Sequence, residues 1–298
     1  MKRKLRLENN GSFSRREFIQ RGSVSMVSMT IGSSLLAEDL PAPRTQIGLI
    51  TDLHFADKVP AGSRHYRESL PKLREASGAF HQAETSHVIE LGDLIDAADS
   101  VAKEQAYLAT IHQEFAKIPG RKHYVLGNHC VDTLTKEEFL EGVGAKGSYE
   151  SFDESGFHFI VLDACFRSDG QAYQRRNFEW TDPNIPAAEL AWLQQDLDRA
   201  SLPTLVFVHQ RLDVGHPYGV KNADAVRGLL ERSGKVVSVF QGHSHKNQHQ
   251  VINGIHYVTL KAMVEGSGLE NSGYSLLKLH EGGVVRLVGM RKQSSYQW

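Results

Sequence analysis

The chain has 298 residues, of which 40% are hydrophobic and 23% charged, a composition typical of a globular protein long enough to build a large core. Its formal charge of −1 is unevenly distributed, because residues 1–37 hold seven Lys/Arg against two Asp/Glu, whereas the rest holds 27 basic and 33 acidic residues. An acidic main body argues against nucleic acid as the principal partner.

The N-terminal segment, residues 1–37, is typical of a targeting signal rather than of a fold. A basic stretch leads into Ser14-Arg15-Arg16-Glu17-Phe18-Ile19, and an uncharged, serine-rich and weakly apolar stretch continues to Ala37. This segment resembles a twin-arginine export signal, and it is too short and too polar for a stable membrane span. The resemblance implies recognition by the twin-arginine export machinery and a bacterial periplasmic or secreted location. A disordered basic tail is the alternative.

After a linker, residues 38–45, one domain is predicted over residues 46–292, followed by a C-terminal tail, residues 293–298. Its front half alternates in character: strands are predicted over 46–51, 87–91, 123–126, 149–152, 157–163, 204–208 and 235–240, and helices over 65–84, 101–117, 187–199 and 220–232. Beyond His245, short strands at 249–252, 256–260, 274–280 and 284–290 are separated by the turn dipeptides Asn253-Gly254 and Gly282-Gly283. The pattern predicts an α/β fold of two mixed β-sheets packed face to face with helices outside.

Five short motifs rich in metal-ligating side chains each follow a predicted strand. They are Asp52-Leu53-His54, Gly92-Asp93, Gly127-Asn128-His129, His209 and Gly242-His243-Ser244-His245. Because ligands bind beyond the carboxyl ends of strands in open α/β sheets, we expect the five motifs to share one site. Residues two apart in an extended chain point the same way, so Asp52 and His54 are expected to converge, as are His243 and His245.

The side chains of these motifs form a mixed nitrogen and oxygen donor set without thiolate. Such a set suits Mn, Fe or Zn better than Ca or Mg. The carboxylate of Asp93 has two oxygens and can bridge two cations, and cations about 3.5–4 Å apart can hold a phosphoryl group and activate a water molecule. His129 is then left as a spare imidazole that can donate to the phosphate or to the leaving oxygen.

The order of the five motifs resembles that of the calcineurin-like metallophosphoesterases, over about residues 46–290. The resemblance implies an αββα four-layer sandwich that hydrolyses phosphate esters or anhydrides of small organophosphates or nucleotides by means of a hydroxide activated by two metals. Carried over by position, it implies that one metal is held by Asp52, His54 and His245, the other by Asn128, His209 and His243, with Asp93 bridging them and His129 catalytic. A non-catalytic metal-binding scaffold on the same fold is the alternative, and a nuclease is opposed by the acidic body and the export signal.

Two branches of this superfamily share local patterns with the chain. The run Gly92–Asp96 is similar to that of cyclic-nucleotide phosphodiesterases, and the stretch Gly254–Leu260 resembles manganese-dependent ADP-ribose/CDP-alcohol diphosphatases. The latter usually have Gln where this chain has His54. Cys130 stands where family members often have Asp or Glu, which removes a possible carboxylate partner for His129.

The loop Arg167–Asn184 is long, has no periodicity and is rich in Arg and aromatic residues, so we expect it to be functional. Arg167, Arg175 and Arg176 could pair with a phosphate of a small phosphorylated substrate, or form surface ion pairs. Tyr173 or Trp180 could stack on a base or pack in the core. His216 could line the same pocket or be a solvent-exposed loop residue.

The two cysteines, Cys130 and Cys165, are too few for a disulfide framework or a cysteine zinc site. Two buried thiols are favoured by the usual burial of free cysteine, although one bridge between them stays open at this point.

Overall fold

The computed structural model describes residues 40–215 and 217–298, so the targeting signal expected over residues 1–37 lies outside the described residues. From Pro41 to Trp298 the chain forms one compact unit. Its strands are β1 (Thr45–Ile50), β2 (His87–Glu90), β3 (Arg121–Tyr124), β4 (Glu150–Glu154), β5 (Phe157–Val161), β6 (Thr204–Phe207), β7 (Val236–Gln241), β8 (Gln248–Ile252), β9 (Ile255–Thr259), β10 (Gly273–Leu279), β11 (Val285–Arg291) and β12 (Tyr296–Gln297). Its α-helices are α1 (Ser69–Gln82), α2 (Val101–Phe115), α3 (Lys136–Val143), α4 (Ala187–Arg199) and α5 (Ala223–Ser233).

The strands form two sheets, each of six strands among the described residues. The first sheet has the order β12-β11-β10-β1-β2-β3, in which β1, β2 and β3 are parallel and the C-terminal strands antiparallel. The second has the order β4-β5-β6-β7-β9-β8, with β5, β6, β7 and β9 parallel and an antiparallel strand at each edge. Both sheets are therefore mixed.

Apolar side chains fill three layers of this unit. Between the sheets, residues such as Leu49, Ile89 and Phe207 pack in one buried cluster. Helices α1, α2 and α3 bury Leu73, Phe80, Leu108, Phe115 and Phe139 on the outer face of the first sheet, and helices α4 and α5 bury Leu193, Leu197, Val226 and Leu230 on the outer face of the second. The predicted arrangement of two face-to-face sheets with helices outside is confirmed.

Two elements were absent from the predicted pattern. Helix α3 begins with a capping box, in which the Thr135 hydroxyl accepts from the Glu138 backbone amide and the Glu138 carboxylate accepts from that of Thr135. Strand β12 lies in the segment expected to be a tail, and the following Trp298 stacks on His256 of the opposite sheet at 4.5 Å between ring centroids. In the described part of the chain, no helix has the length and apolarity required to span a membrane.

Candidate metal centre

The five ligand-rich motifs come together at one edge of the sandwich. They directly follow β1, β2, β3, β6 and β7, whose carboxyl ends all open toward the same edge. Asp52, His54, Asp93 and His209 are almost fully buried, and Asn128 and His243 are at most 9% exposed. Distant stretches of the sequence therefore supply one shared buried cluster, as the motif positions predict.

The backbone of this cluster is strained rather than extended. Asp52, His54, Asp93, His243 and His245 all have positive φ, between 44° and 68°. Side chains other than glycine rarely adopt this left-handed region, and such strain persists only where the surrounding structure enforces it. The expected convergence within Asp52/His54 and within His243/His245 occurs, but it is produced by tight turns and not by the alternation of an extended strand.

Two glycines of the motifs are required because other groups approach them closely. A Cβ added at Gly92, which has φ +97°, would lie 2.5 Å from Nδ1 of His209, and a Cβ at Gly127 would overlap Oδ1 of Asp93. The Gly residues that precede Asp93 and Asn128 thus allow neighbouring loops to close around the ligand side chains.

Inside the cluster, imidazole nitrogens and carboxylate oxygens lie within a few ångströms of one another. Nε2 of His245 is 3.3 Å from Oδ1 of Asp52 and 3.1 Å from Nε2 of His54. Oδ2 of Asp93 is 3.5 Å from Nε2 of His54 and 3.1 Å from Nε2 of His209, so the Asp93 carboxylate stands between two groups of histidines. Three sets of donors meet the spacing of a metal site: Asp52, His54 and His245; His54, Asp93 and His129; and Asp93, His209 and His243.

Three of the histidines are held in orientation by their outer nitrogens. Nδ1 of His54 lies 3.1 Å from Oδ2 of Asp96, and Nδ1 of His245 lies 2.6 Å from Oε1 of Glu265. Nδ1 of His209 donates to the backbone carbonyl of Leu91 at 2.8 Å. Anchoring one ring nitrogen fixes the other as the inward-facing lone pair, which is how metal-binding histidines are typically arranged.

Four inward-facing atoms of the cluster have no hydrogen-bond partner among the described residues. Buried polar atoms without a partner include Oδ1 of Asp52, Oδ1 of Asn128, Nε2 of His209 and Nε2 of His243. Leaving such atoms unpaired in a protein interior costs about 1–3 kcal/mol each. Their convergence on one small volume, with only nitrogen and oxygen donors, fits a centre of two divalent metal ions.

The pKa values of the histidines in the cluster depend strongly on burial and on the charges of their neighbours. Burial would lower the pKa of His209, but the Asp93 and Asp52 carboxylates raise it to about 9. Burial would likewise lower the pKa of His245, which Asp52 and Glu265 raise to about 9. Burial, together with nearby His209, lowers the pKa of His243 to about 3. At His209 and His245, protons therefore compete with metals for the imidazole nitrogens, whereas the imidazole of His243 is already neutral.

His129 lies beside this cluster and has a carboxylate partner that the sequence analysis did not identify. Its Nδ1 is 3.6 Å from Oδ2 of Asp96, and its backbone amide donates to Oδ1 of Asp93. Burial lowers the pKa of His129 to about 4, so its ring is neutral at pH 7. Asp96 thus supplies a carboxylate near His129, at a distance too long for a hydrogen bond. Its position three residues after Asp93 in the same turn is the signal that could have indicated it.

A cavity of about 710 Å³ opens from the cluster to solvent. Its floor includes Asp93, Asn128, His129, His243 and His245.

The walls of this cavity carry two aromatic rings and two arginines. Trp180 and Tyr218 are 43% and 40% exposed, and their ring centroids are 5.6 Å apart. Arg64 and Arg176 add positive charge to the same wall, and Arg64 reaches Oδ2 of Asp96 at 3.3 Å. Neither Arg64 nor Tyr218 was identified from the sequence, because no motif surrounds them.

The residues proposed from the sequence as substrate contacts separate into two groups. Arg176 and Trp180 line the cavity. Arg175 forms a two-point ion pair with Glu138, and Arg167 pairs with Asp169 at 2.8 Å, so the structure does not place either in the cavity. Tyr173 is fully buried and stacks on Phe178 at 4.4 Å, which is core packing. His216 lies outside the described residues.

Cys130 and Cys165 are both buried free thiols, and no bridge joins them. Burial raises the pKa of each thiol well above its ordinary value, which makes both unreactive toward oxidation and metals. The expectation of two buried free thiols is confirmed.

No protein-family model matches the chain. A manganese-dependent ADP-ribose/CDP-alcohol diphosphatase from Arabidopsis thaliana is 25% identical over 273 aligned residues, covering 75% of this chain and 87% of that protein. A protein of the same description from Danio rerio is 23% identical over 289 residues and covers 75% of this chain and 88% of that protein.

Among solved structures, a dimetal phosphatase from Danio rerio superposes with a TM-score of 0.76 at 19% identity, covering 86% of this chain and 99% of that one. The purple acid phosphatase PPD1 from yellow lupin superposes with a TM-score of 0.56 at 15% identity, over 87% of this chain and 55% of that one. These superpositions show that the fold is shared.

The sequence relatives and the shared fold support the calcineurin-like metallophosphoesterase superfamily. Together with the donor cluster, they confirm the predicted activity: the chain is a hydrolase of phosphoester or phosphoanhydride bonds that uses two divalent metal ions.

Proposed function

We propose that the chain hydrolyses the phosphoanhydride bond of nucleoside diphosphate-linked substrates such as ADP-ribose and CDP-alcohols. We propose manganese as the metal that it uses. The observation that carries the proposal is the cavity above the metal centre, where two exposed aromatic rings and two arginines face the same space. A nucleobase presents a flat ring to stack, and a diphosphate presents a second anionic group for an arginine to bind. The similar relatives supply the substrate names and the metal.

The roles at the centre are proposed by position. Asp52, His54 and His245 would hold one metal, Asn128, His209 and His243 the other, and Asp93 would bridge them. Such a pair of cations supplies Lewis-acid polarisation of the phosphoryl group and an activated water. The anchored outer nitrogens of His54, His209 and His245 keep their lone pairs aimed at the metals without rearrangement.

His129 is the proposed catalytic residue. Its Nδ1 is buried and lies 3.6 Å from Oδ2 of Asp96, which leaves Nε2 as the ring atom that can reach the leaving oxygen from the cavity. The neutral ring at pH 7 can take up the proton that the attacking water loses and then donate that proton to the departing oxygen. Arg64, bound to the same Asp96, is placed to pair with a substrate phosphate.

The aromatic wall is proposed to select the nucleobase. Trp180 and Tyr218 are tilted by 48° to each other, and both lie about 6 Å from the His243 ring, so a base stacked on the exposed face of either ring would sit next to the metal centre. Base–aromatic stacking contributes about 1–3 kcal/mol per base. This wall distinguishes a nucleotide anhydride from a small aliphatic phosphomonoester.

The test compares ADP-ribose, CDP-choline and glycerol phosphate on manganese-loaded protein. We expect turnover of the two anhydrides, and we expect Trp180→Ala to raise their KM about tenfold while the KM of glycerol phosphate stays unchanged. Trp192, which packs on Tyr149 at 4.8 Å and does not line the cavity, provides the matched control Trp192→Ala. Equal loss on all three substrates would contradict a base-binding role. Metal-loaded protein that hydrolyses no phosphoester at all would favour a non-catalytic scaffold.

We also propose that the chain is exported in folded form to the periplasm or beyond by the twin-arginine machinery. The support is the Ser14–Ile19 motif followed by an uncharged stretch, which is a sequence observation alone. Replacing Arg15 and Arg16 together by Lys should trap the protein in the cytoplasm. Export of that variant at the wild-type rate would contradict the proposal.

A further inference from the structure

A second cavity, of about 470 Å³, adjoins the metal centre through one hydrogen-bonded pair. His245 lines the catalytic cavity, and its partner Glu265 lines the second one. We call this second cavity the lysine pocket. Its remaining lining residues are Ser63, Lys246, Asn247, Lys261, Gly266, Asn271 and Lys292.

The lysine pocket is positively charged. Three lysines, Lys246, Lys261 and Lys292, line it, and Glu265 is the one carboxylate among the described lining residues. The Glu265 carboxylate is already committed, because Oε1 is 2.6 Å from Nδ1 of His245. Neutral and cationic donors therefore face the cavity, and the single anion there is paired.

Two of the three ammonium groups are not used by the protein. Lys261 donates to the backbone carbonyl of His245 at 3.2 Å. Among the described residues, no acceptor or carboxylate is hydrogen-bonded or ion-paired to Nζ of Lys246 or Nζ of Lys292, although both side chains border the same cavity. Like-charged groups held around one cavity repel one another, and a bound anion relieves that repulsion.

The pocket is also held in place from two directions. The Asn247 side chain donates to the carbonyl of Lys292 and accepts from the amide of Ser294, which ties the loop after β7 to the segment after β11. From below, the fully buried Lys72 donates to the carbonyls of Met263, Glu265 and Gly266 at 2.7–3.1 Å. Lys72 thus fixes the wall of the pocket and adds a positive charge behind it.

We propose that the lysine pocket is an anion site for a phosphate group, distinct from the metal centre. Lysine ammonium groups bind phosphate as point charges, and two free ammonium groups beside a third suit a compact, multiply charged anion. The phosphate can come from two sources, free inorganic phosphate or a distal phosphate of the substrate. Binding itself does not depend on the proposed function.

The binding test uses equilibrium dialysis of radiolabelled inorganic phosphate against manganese-loaded protein at low ionic strength. The variant Lys246→Ala/Lys292→Ala is expected to bind one equivalent of phosphate fewer than wild type, whether or not the metal centre holds an equivalent of its own. The control Lys103→Ala/Lys146→Ala removes two exposed lysines that do not line the pocket, and it should bind as wild type. Equal stoichiometry in wild type and in the pocket variant would overturn the proposal.

Kinetics then separate the two sources. If the pocket receives a further phosphate of the substrate, the pocket variant should raise the KM of ADP-ribose 2′-phosphate about tenfold, the effect of losing one charge-assisted contact, with kcat and the KM of ADP-ribose unchanged. If it receives free phosphate, both KM values should match wild type while the bound equivalent is lost in dialysis. Exchange of both residues for Arg keeps the charge and should restore binding. A protein that turns over no substrate would refute the proposed function, and the dialysis experiment would still decide whether the lysine pocket binds phosphate.

Discussion

Two histidine clusters lie at opposite ends of the strands, and they differ in what their ring nitrogens contact. One is the metal centre at the carboxyl ends. The other, which we call the edge cluster, consists of His87 and His123 near the starts of β2 and β3. Both clusters are buried and both contain carboxylates.

In the edge cluster, the ring nitrogens are paired within the protein. Nδ1 of His87 lies 2.9 Å from Nε2 of His123, and Nδ1 of His123 lies 2.7 Å from Glu150. His158 in β5, which faces helix α4 and lies outside this cluster, is likewise held on both sides, by Asp153 at 2.6 Å and Asp196 at 2.8 Å. His123 also stacks on Phe152 at 4.3 Å between ring centroids.

At the metal centre, one nitrogen of each anchored histidine is paired with an outer group and the other faces the donor cluster, where Nε2 of His209 and Nε2 of His243 have no hydrogen-bond partner. The backbone there is in the left-handed region at five of the proposed ligands, whereas His87, His123 and His158 do not have positive φ. A histidine cluster that satisfies itself stabilises the fold, and one that leaves lone pairs open is prepared to bind something else. Burial and histidine content alone do not separate the two.

The largest effect is expected from His129→Ala. Losing the group that serves the leaving oxygen should lower kcat by about 10²–10⁴-fold, with both metals retained. Elemental analysis of the purified variant, run beside the kinetics, is the necessary measurement, because His129 also meets the spacing of a metal ligand with His54 and Asp93. Loss of one metal from the variant would make His129 a ligand instead.

Asp96→Asn should have the next largest effect, since Asp96 contacts both His54 and His129. Partners of this kind typically contribute 10–100-fold to metal affinity or activity, so we expect about that decrease in kcat/KM. Saturating manganese should restore occupancy and not kcat if Asp96 also positions His129. Lys58→Ala is the matched control, because it removes another partner of Asp96 at 2.8 Å without touching either ring. Full rescue of kcat by manganese would show that Asp96 supports metal binding only and does not position His129.

Metal affinity should rise with pH between about 6.5 and 9. His209 and His245 have pKa values raised to about 9 in the folded protein, above the unfolded value near 6.5, so in chelator-treated protein both are protonated at pH 7. Those protons stabilise the metal-free fold at low pH, are lost as the pH rises through 9, and must be displaced by metal. One proton per metal gives about a tenfold gain in apparent affinity per pH unit. Calorimetry in buffers of different ionisation enthalpy would count the protons, and pH-independent affinity would contradict this assignment.

Much of the fold and of the metal centre could be predicted from the sequence, because the end of a strand can be recognised from a short stretch of neighbouring residues. Apolar runs before Asp52, Asp93, Asn128 and His209 marked both the strands and the edge where their ligands meet. The turns at Asn253-Gly254 and Gly282-Gly283 were likewise visible, and both lie at positive φ as expected.

What the sequence did not reveal depends on contacts between distant segments. Arg64 and Tyr218 reach the cavity only through loops whose course no periodicity specifies. Arg175 and Arg176 are neighbours of the same type, yet one is paired with Glu138 and the other faces the cavity. The strained turns at Asp52 and His243 arise from tertiary packing, so local alternation could not predict them.

The smallest expected effect on catalysis, and the sharpest contrast with the metal centre, comes from His123→Phe in the edge cluster. The Phe ring keeps the stack on Phe152 and removes both nitrogens, so Nδ1 of His87 loses its partner in a buried position. We expect a loss of about 1–3 kcal/mol in the free energy of unfolding, measured by denaturant titration, and unchanged kcat, KM and metal content. His123→Ala also removes the stack and should cost about 0.5–1.5 kcal/mol more. If His123→Phe instead changed turnover or metal content, the two clusters would be coupled through the sheets, and the division between a self-satisfied and an open histidine cluster would fail.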